Sequence, residues 1–320
     1  MKRPYPEEAE AHRGARSRLS QLGTLGLRRL NGFNHQARRF TEKPGVRRAA
    51  WIGALLLLAG GLITALWSAK IDPSQLDWRP LVWLLGAAIP ASLLLGTLET
   101  MLAAEAVGRR FPPRRALAIT LFASAANLLP VPGAAGVRVI SLKDAGASMG
   151  HAGMTTLGFA VIWLGVALIF SASFAIAQAP WFATAVLAGG LAITGAGLAM
   201  FHRFSPSPAV GLKVAALKLV MILLTLLRVG LCLAAIGVAS DLSALSVLAV
   251  SGIVGSAVAV VPGGLGVREA TAAALAPLGG LPPDAVFIAL AIDRAAGLSQ
   301  RLVLAASLGA FSQNPNPSRG

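Results

Sequence analysis

The chain has 320 residues, of which 55% are hydrophobic and only 13% are charged, and its mean hydropathy is +0.70. A soluble domain carries roughly 25% charged residues, so this composition excludes a soluble globular protein and predicts an integral membrane protein. The formal net charge is +15, and more than half of that excess lies before residue 49, where twelve Lys and Arg accompany four Glu.

The basic N-terminal segment, residues 1–48, is predicted to stay in the cytoplasm. A run of positive charge can bind nucleic acid, but in a membrane protein it favours a cytoplasmic N-terminus and contact with anionic lipid headgroups. Apolar residues recur on one helical face among the arginines, so the segment is either disordered or an interfacial helix. We expect anionic membrane lipids, and no nucleic acid, as partners.

Six long apolar runs are predicted to be spanning helices, because a helix satisfies its own backbone groups within lipid. They cover residues 50–69, 81–107, 152–178, 181–201, 213–239 and 284–311. Two further stretches, 116–148 and 245–277, each hold an apolar segment, a Pro-Gly motif and a second short helical segment. The proline cannot continue a regular helix, so each stretch is predicted to break near its middle.

The two broken stretches resemble each other. Residues 131–138 read VPGAAGVR and residues 261–268 read VPGGLGVR, which agree at six of eight positions at an offset of 130 residues. The neighbouring apolar runs pair at offsets between 129 and 132 residues. The chain therefore divides into two membrane repeats, 49–180 and 181–311, followed by a C-terminal tail, 312–320.

The charges of the loops favour re-entrant hairpins over full crossings for the broken stretches. With hairpins, the basic loops and both termini lie on the cytoplasmic side, as the positive-inside rule requires. With one full crossing in each stretch, the basic loop 202–213 would lie outside. The predicted fold is an all-α polytopic membrane protein with two inverted repeats, about six spanning helices and two re-entrant helical hairpins.

Each broken motif is predicted to bind an anion. The first N–H groups of the helix after the motif are unpaired and partly positive, and an arginine follows, so phosphate is the expected ligand. The alternative is that the Pro-Gly pair only turns the hairpin and the arginines snorkel or pair with acids. The substrate-binding candidates are Asn127, Pro132, Gly133, Gly136 and Arg138 in the first copy and Pro262, Gly263, Gly264, Gly266, Arg268 and Glu269 in the second.

Other charges within the apolar runs need partners or a function. Asp293 and Arg294 of the last run are further substrate-binding candidates, and Glu269 is expected to bond either Arg294 or a substrate amine. Glu99 is expected to form an ion pair with Arg228. The candidate proton carriers are Glu99, Glu105 and Glu269.

The sequence offers no pattern for metal binding or catalysis. No two of the four histidines, His12, His35, His151 and His202, have metal-ligand spacing. We find no nucleotide-binding loop and no paired carboxylates or His/Asp constellation. We expect no metal, no cofactor and no enzymatic activity, with any movement passive or coupled to an ion.

Two segments carry a family resemblance. NLLPVPGAAGVR (127–138) and VVPGGLGVREA (260–270), with Asp293-Arg294 in the last run, resemble the transmembrane region of bacterial lysylphosphatidylglycerol synthases. That region is the lipid-flipping half of the multiple peptide resistance factors, and stand-alone members lack the soluble synthase domain. The resemblance covers residues 50–311, although Ala134-Ala135 replaces part of the family's first glycine cluster. It implies lipid translocation or another lipid-related membrane role, and not the synthase activity.

The function predicted from these features is a flippase or transporter for a phosphate-bearing lipid of the phospholipid or polyprenyl type. We expect it in the bacterial cytoplasmic membrane, with both termini in the cytoplasm. The alternatives are a non-catalytic membrane subunit or enzyme of lipid-linked or envelope glycolipid synthesis, and a structural or assembly protein. A homo-oligomer, or an envelope-lipid biosynthetic enzyme as partner, stays open.

Overall fold

The computed structural model describes residues 76–126, 133–175, 180–252 and 266–312, and all of these belong to one compact unit, Ala50–Gly320. Within these ranges every regular element is a helix. The basic segment 1–48, the first apolar run and the tail after Ser312 lie outside the described residues, so the predictions made for them are untested.

Nine α-helices occur in the described ranges, and we number them in chain order. They are α1 (Trp78–Ala106), α2 (Pro113–Ala126), α3 (Gly133–Asp144), α4 (Met149–Ala175), α5 (Pro180–Phe204), α6 (Ala209–Ala235), α7 (Leu242–Ser246), α8 (Val267–Leu275) and α9 (Pro283–Ser312). A single 3-10 turn extends α7 (Val247–Val250) and another extends α8 (Ala276–Gly279).

Four of these helices, α1, α4, α5 and α6, are long and apolar enough to cross a membrane. The structure therefore agrees with an all-α membrane protein. Of the two other predicted spans, the run 50–69 lies outside the described residues, and 284–311 forms α9. Helix α9 has the required length of 30 residues, but it is less apolar because it carries Asp293, Arg294 and Arg301.

Helices α1 and α6 run antiparallel, and their contacts define the two ends of the bundle. At one end the N–H of Asp77 donates to the carbonyl of Ala235 at 3.0 Å. At the other end Lys213 Nζ lies 2.6 Å from Glu105 Oε1. We call these the Asp77 end and the Lys213 end.

Three connections meet at the Lys213 end. Gly108 follows α1, and Pro206 lies in the connection between α5 and α6. A Cβ built on Gly108 would lie 3.3 Å from Pro206 Cγ. A Cβ on Gly146, after α3, would lie 2.7 Å from Arg109 Nη2. Helix α2 therefore begins, and α3 ends, at the Lys213 end.

The end of α4, the start of α7 and the end of α8 meet at the opposite, Asp77 end. Ser171 Oγ of α4 donates to the carbonyl of Ser246 at 2.8 Å. A Cβ built on Gly279, after α8, would overlap the Ala244 carbonyl of α7. Helix α7 therefore begins, and the segment containing α8 ends, at the same end of the bundle.

Helices α4 and α5 pack closely because glycines remove side chains from their interface. A Cβ built on Gly165 of α4 would lie 2.7 Å from the backbone nitrogen of Thr194, and one on Gly197 of α5 would lie 2.6 Å from Ile162 Cγ1. Small residues permit such close approach of membrane helices, whose association depends on van der Waals packing. The two helices form an antiparallel pair beside α6.

A π turn in α1 connects that helix to α9. The turn covers Leu84–Ala88, where the N–H of Ile89 bonds to the carbonyl of Leu84. In this i→i+5 pattern the Leu85 carbonyl would need the N–H of Pro90, which proline lacks. Gln300 of α9 supplies the missing donor, with Nε2 at 3.1 Å from the Leu85 oxygen.

Exposed aromatic residues gather at the Asp77 end. Trp78 begins α1 with 69% of its surface exposed, and Trp181 and Phe182 begin α5 with 90% and 71% exposed. Tryptophan is enriched where a membrane meets water, because its ring is amphipathic. These residues indicate the level of the membrane interface at this end.

Candidate functional site: ion pairs inside the helical bundle

The first group of interior charges is centred on Glu99 of α1. Its Oε1 lies 2.5 Å from Arg138 Nη1 of α3 and 2.8 Å from Lys218 Nζ of α6, and its side chain is only 3% exposed. Lys218 Nζ also lies 5.4 Å from the ring of Trp163 in α4, close enough for a cation–π interaction. We call Glu99, Arg138 and Lys218 the Glu99 cluster.

The second group is centred on Asp293 of α9. Arg228 of α6 donates to its Oδ1 from Nε at 2.8 Å and approaches it with Nη2 at 2.6 Å. Arg268 of α8 is more distant, with Nη1 3.9 Å from Oδ2. A Cβ on Gly297 would lie only 3.2 Å from Arg228 Nη2, so this glycine makes room for the guanidinium. We call Arg228, Arg268 and Asp293 the Asp293 cluster.

A third ion pair joins α8 to α9. Arg294 Nε lies 2.8 Å from Glu269 Oε1, and the Glu269 side chain has no exposed surface. Arg301, two turns further along α9, interacts electrostatically with Arg228, Arg268 and Asp293.

Trp163 lies between the two clusters. Gly252 lies next to both Trp163 and Arg268. A Cβ built on this glycine would lie 3.7 Å from Trp163 Cζ2 and 4.0 Å from Arg268 Nε. The same indole ring accepts Lys218 on its face. Trp163 therefore contacts Lys218 of the Glu99 cluster and lies near Arg268 of the Asp293 cluster.

The described interior carries more positive than negative groups. Its carboxylates are Glu99, Glu269 and Asp293, and its cations are Arg138, Lys218, Arg228, Arg268, Arg294 and Arg301. Four guanidinium nitrogens are buried without a hydrogen-bond partner in the described ranges, Nε of Arg138, Arg268 and Arg301 and Nη1 of Arg294, and both carboxylate oxygens of Glu269 also lack one. Partly buried guanidinium groups with free donors can hold an anionic group, most strongly a phosphate.

The structure describes part of each predicted anion motif. Gly133 begins α3 so close to the end of α2 that a Cβ would overlap the Ala126 carbonyl, whereas Gly136 has open space around it. Gly266 precedes α8 with φ of 77°, a conformation that favours glycine. Five candidates lie outside the described residues: Asn127, Pro132, Pro262, Gly263 and Gly264.

The expected pair of Glu99 with Arg228 is wrong. Glu99 lies near the Lys213 end of α1 and bonds Lys218 of α6, whereas Arg228 lies ten residues further along α6, about 15 Å away, and bonds Asp293. Of the two partners considered for Glu269, the structure shows Arg294. Arg138 and Arg268, the arginines of the two motifs, each have a carboxylate nearby, as the alternative interpretation of the motifs expected.

Glu105 lies apart from the interior charges. It pairs with Lys213 at the end of the bundle, where the two side chains are 39% and 52% exposed. Screening by water makes such a pair weak. Its position is that of a surface ion pair.

Sequence reasoning left Lys218 and Arg301 unassigned and did not single out Trp163. A signal for Trp163 was present in the repeat offset. Positions separated by 129 or 130 residues recur in the two groups: Glu99, Arg138 and Trp163 lie at or beside the first cluster, and Arg228, Arg268 and Asp293 form the second. Each cluster contains the arginine of one motif, but the carboxylate lies on α1 in the Glu99 cluster and on α9 in the Asp293 cluster.

No group of three or more His, Cys, Asp or Glu in the described ranges could hold a metal ion. Comparison of the chain with family models, curated proteins and solved structures found no match. The described residues form an all-helical structure with four helices that could span a membrane and with ion pairs between them. The chain's membership of the family that the motifs resemble stays a prediction.

Proposed function

We propose that the protein is a flippase or transporter for a phosphate-bearing lipid, of the phospholipid or polyprenyl type, in the bacterial cytoplasmic membrane. The observation that carries this proposal is the excess of cations over carboxylates in the described interior, where several of the cations are only partly buried and keep free guanidinium donors. Charges at this depth are costly and usually mark a substrate pathway. A lipid phosphate would supply the missing negative charge.

The proposed architecture is a pair of inverted repeats with re-entrant hairpins. It is supported by the ends of the short helices: α2 begins and α3 ends at the Lys213 end, while α7 begins and the α8 segment ends at the Asp77 end. Two hairpins entering from opposite sides and meeting inside are typical of transporters. Rocking of one repeat against the other would expose the arginines to each side in turn.

We place the Lys213 end in the cytoplasm. Exposed basic residues surround that end, whereas the connections at the Asp77 end carry few. This follows the positive-inside rule. The basic residues at the Lys213 end are Arg109, Arg110, Arg114, Arg115 and Arg203.

The hairpin arginines can exchange a carboxylate for a phosphate at low cost. When Arg138 turns to a phosphate, Glu99 keeps Lys218. When Arg268 turns, Asp293 keeps Arg228, its closer partner. Neither exchange leaves an unpaired buried carboxylate, which would be strongly unfavourable. Arg138 and Arg268 are therefore the proposed phosphate ligands, and Glu99 and Glu269 stay candidate proton carriers.

We further propose that the chain is a relative of the lysylphosphatidylglycerol synthase transmembrane region and acts without catalysis. The motifs and the interior position of Arg268, Glu269, Asp293 and Arg294 support this relationship. The alternative is a non-catalytic subunit or enzyme of lipid-linked or envelope glycolipid synthesis.

The first test is lipid mass spectrometry of the purified protein and of an Arg138→Ala/Arg268→Ala double variant. We expect one anionic lipid class to be enriched in the protein and lost from the double variant. Arg109→Ala/Arg110→Ala, which removes two exposed cations outside the interior, is the matched control and should keep the lipid. Bulk lipid in all three samples would contradict the proposal.

Transport itself is tested in proteoliposomes with a fluorescent phospholipid whose outer-leaflet label is quenched by dithionite. The protein should raise the quenched fraction above one half, and the arginine double variant should not. An equal rate for both would remove the hairpin arginines from the transport pathway.

A further inference from the structure

A polar pocket opens at the Asp77 end, away from the interior ion clusters. Its volume is about 530 Å³, and the end of α4, residues 239–247 and the turn 278–281 line it. Ser240, Asp241 and Ser243 bring polar side chains to its wall. Its wall is held by the hydrogen bond from Ser171 to the Ser246 carbonyl. We call it the Asp241 pocket.

An apolar groove continues from the Asp241 pocket along α6. Its volume is about 500 Å³, and its lining includes leucines of α6 and α7. The groove and the pocket share Ala239, Ser240 and Asp241. Because α6 is a candidate membrane span, the groove lies at the depth of the acyl chains. We call it the Leu227 groove.

We propose that the Asp241 pocket and the Leu227 groove together bind one lipid with an uncharged, hydroxyl-rich headgroup, such as a hexose. The acyl chain lies in the groove and the headgroup in the pocket. A continuous site with one polar and one apolar half, at the level marked by the exposed Trp78 and Trp181, matches an amphipathic ligand. The pocket volume is that of an ordinary small-molecule site.

The chemistry of the pocket selects hydroxyl groups over phosphate. Lys, Arg and His are absent from the described residues that line it, so a phosphate would find no cation there. Asp241 Oδ1 accepts the N–H of Ala244 at 2.7 Å, and its second oxygen is a free acceptor for a ligand hydroxyl. The Ser240 and Ser243 hydroxyls both donate and accept, as sugar hydroxyls do.

This site does not depend on the proposed transport function. It uses none of the arginines assigned to phosphate, and it would bind lipid in a protein that moves none. The two proposals can therefore fail separately, and the Arg138→Ala/Arg268→Ala variant should keep this site intact.

The test is native mass spectrometry of the full chain in detergent, offered three lipids with the same acyl chains. These are monogalactosyl diacylglycerol, diacylglycerol and phosphatidylcholine. We expect the galactolipid to be retained about tenfold better than either of the others, as one or two added hydrogen bonds give. Equal retention of phosphatidylcholine would overturn the hydroxyl-rich assignment in favour of a cationic headgroup.

Two variants locate the site. Ser240→Val/Ser243→Val should remove the preference for galactolipid over diacylglycerol, and Ala234→Trp should lower the retention of both by filling the groove. Ala185→Trp, on the exposed surface of α5, is the matched control and should bind as the parent does. An unchanged galactolipid preference in the serine variant would overturn the proposal. If a variant fails to fold, the comparison of the three lipids on the parent protein still tests the proposal.

Discussion

Two guanidinium nitrogens of Arg228 approach the same carboxylate oxygen of Asp293. Nε lies 2.8 Å and Nη2 2.6 Å from Oδ1. The two residues lie on different helices, α6 and α9, and both are almost fully buried. Asp293 is also the nearest carboxylate to Arg268. This pair therefore connects the long helix α6 to the segment that carries the second motif.

Removing one member of this buried pair should cost much more than removing an exposed one. We expect Asp293→Ala to lower the free energy of unfolding by about 3–5 kcal/mol, because Arg228 is left buried without its carboxylate. Glu105→Ala is the matched control, since its partner Lys213 is exposed, and it should cost less than about 1 kcal/mol. Unfolding by SDS titration in mixed micelles measures both, and similar losses would contradict the assignment.

Removal of the carboxylate and removal of the arginine from the Glu99 cluster should lower the stability of the protein by different amounts. Glu99→Ala leaves the buried Lys218 and the partly buried Arg138 without a counter-charge, whereas Arg138→Ala leaves Glu99 paired with Lys218 at 2.8 Å. We expect the melting temperature to fall further for Glu99→Ala than for Arg138→Ala. The reverse order would show that Lys218 does not neutralise Glu99.

Neighbouring glycines of α5 should differ sharply in their tolerance of alanine. A Cβ on Gly190 would lie 2.9 Å from the Ile169 backbone nitrogen, whereas one on Gly189 has nothing within 4 Å. Gly190→Ala should destabilise the protein by about 1–3 kcal/mol through overpacking. Gly189→Ala should be neutral or slightly stabilising, because alanine favours the helix. Thermal unfolding of the two variants, at one scan rate, checks the contrast.

The proposed hairpins predict which loops share a side of the membrane. In a Cys232→Ala background, single cysteines at the exposed positions Arg110 and Asp144 should react with a membrane-impermeant maleimide only after the cells are opened. Cysteines at Asp241 and Leu278 should react in intact cells. Labelling of the two members of either pair from opposite sides would mean that the broken stretch crosses the membrane.

The sequence predicted the class of the protein because long apolar runs have few stable structures in lipid. Periodicity and composition gave α1, α4, α5 and α6 within a few residues. They also predicted that new helices start after the two Pro-Gly motifs, and α3 and α8 begin there, at Gly133 and Val267. The duplicated motif identified Arg138 and Arg268 as residues that need an explanation, and Arg294 was among the partners considered for Glu269.

The partners of the other charges depended on tertiary structure. Glu99 lies 39 residues from Arg138, and Arg228 lies 65 residues from Asp293. Which residues face each other is set by the antiparallel packing of α1 on α6 and by the depth to which each short helix reaches. A charge in an apolar run shows that a partner is needed, but only the folded bundle decides which one lies within bonding distance.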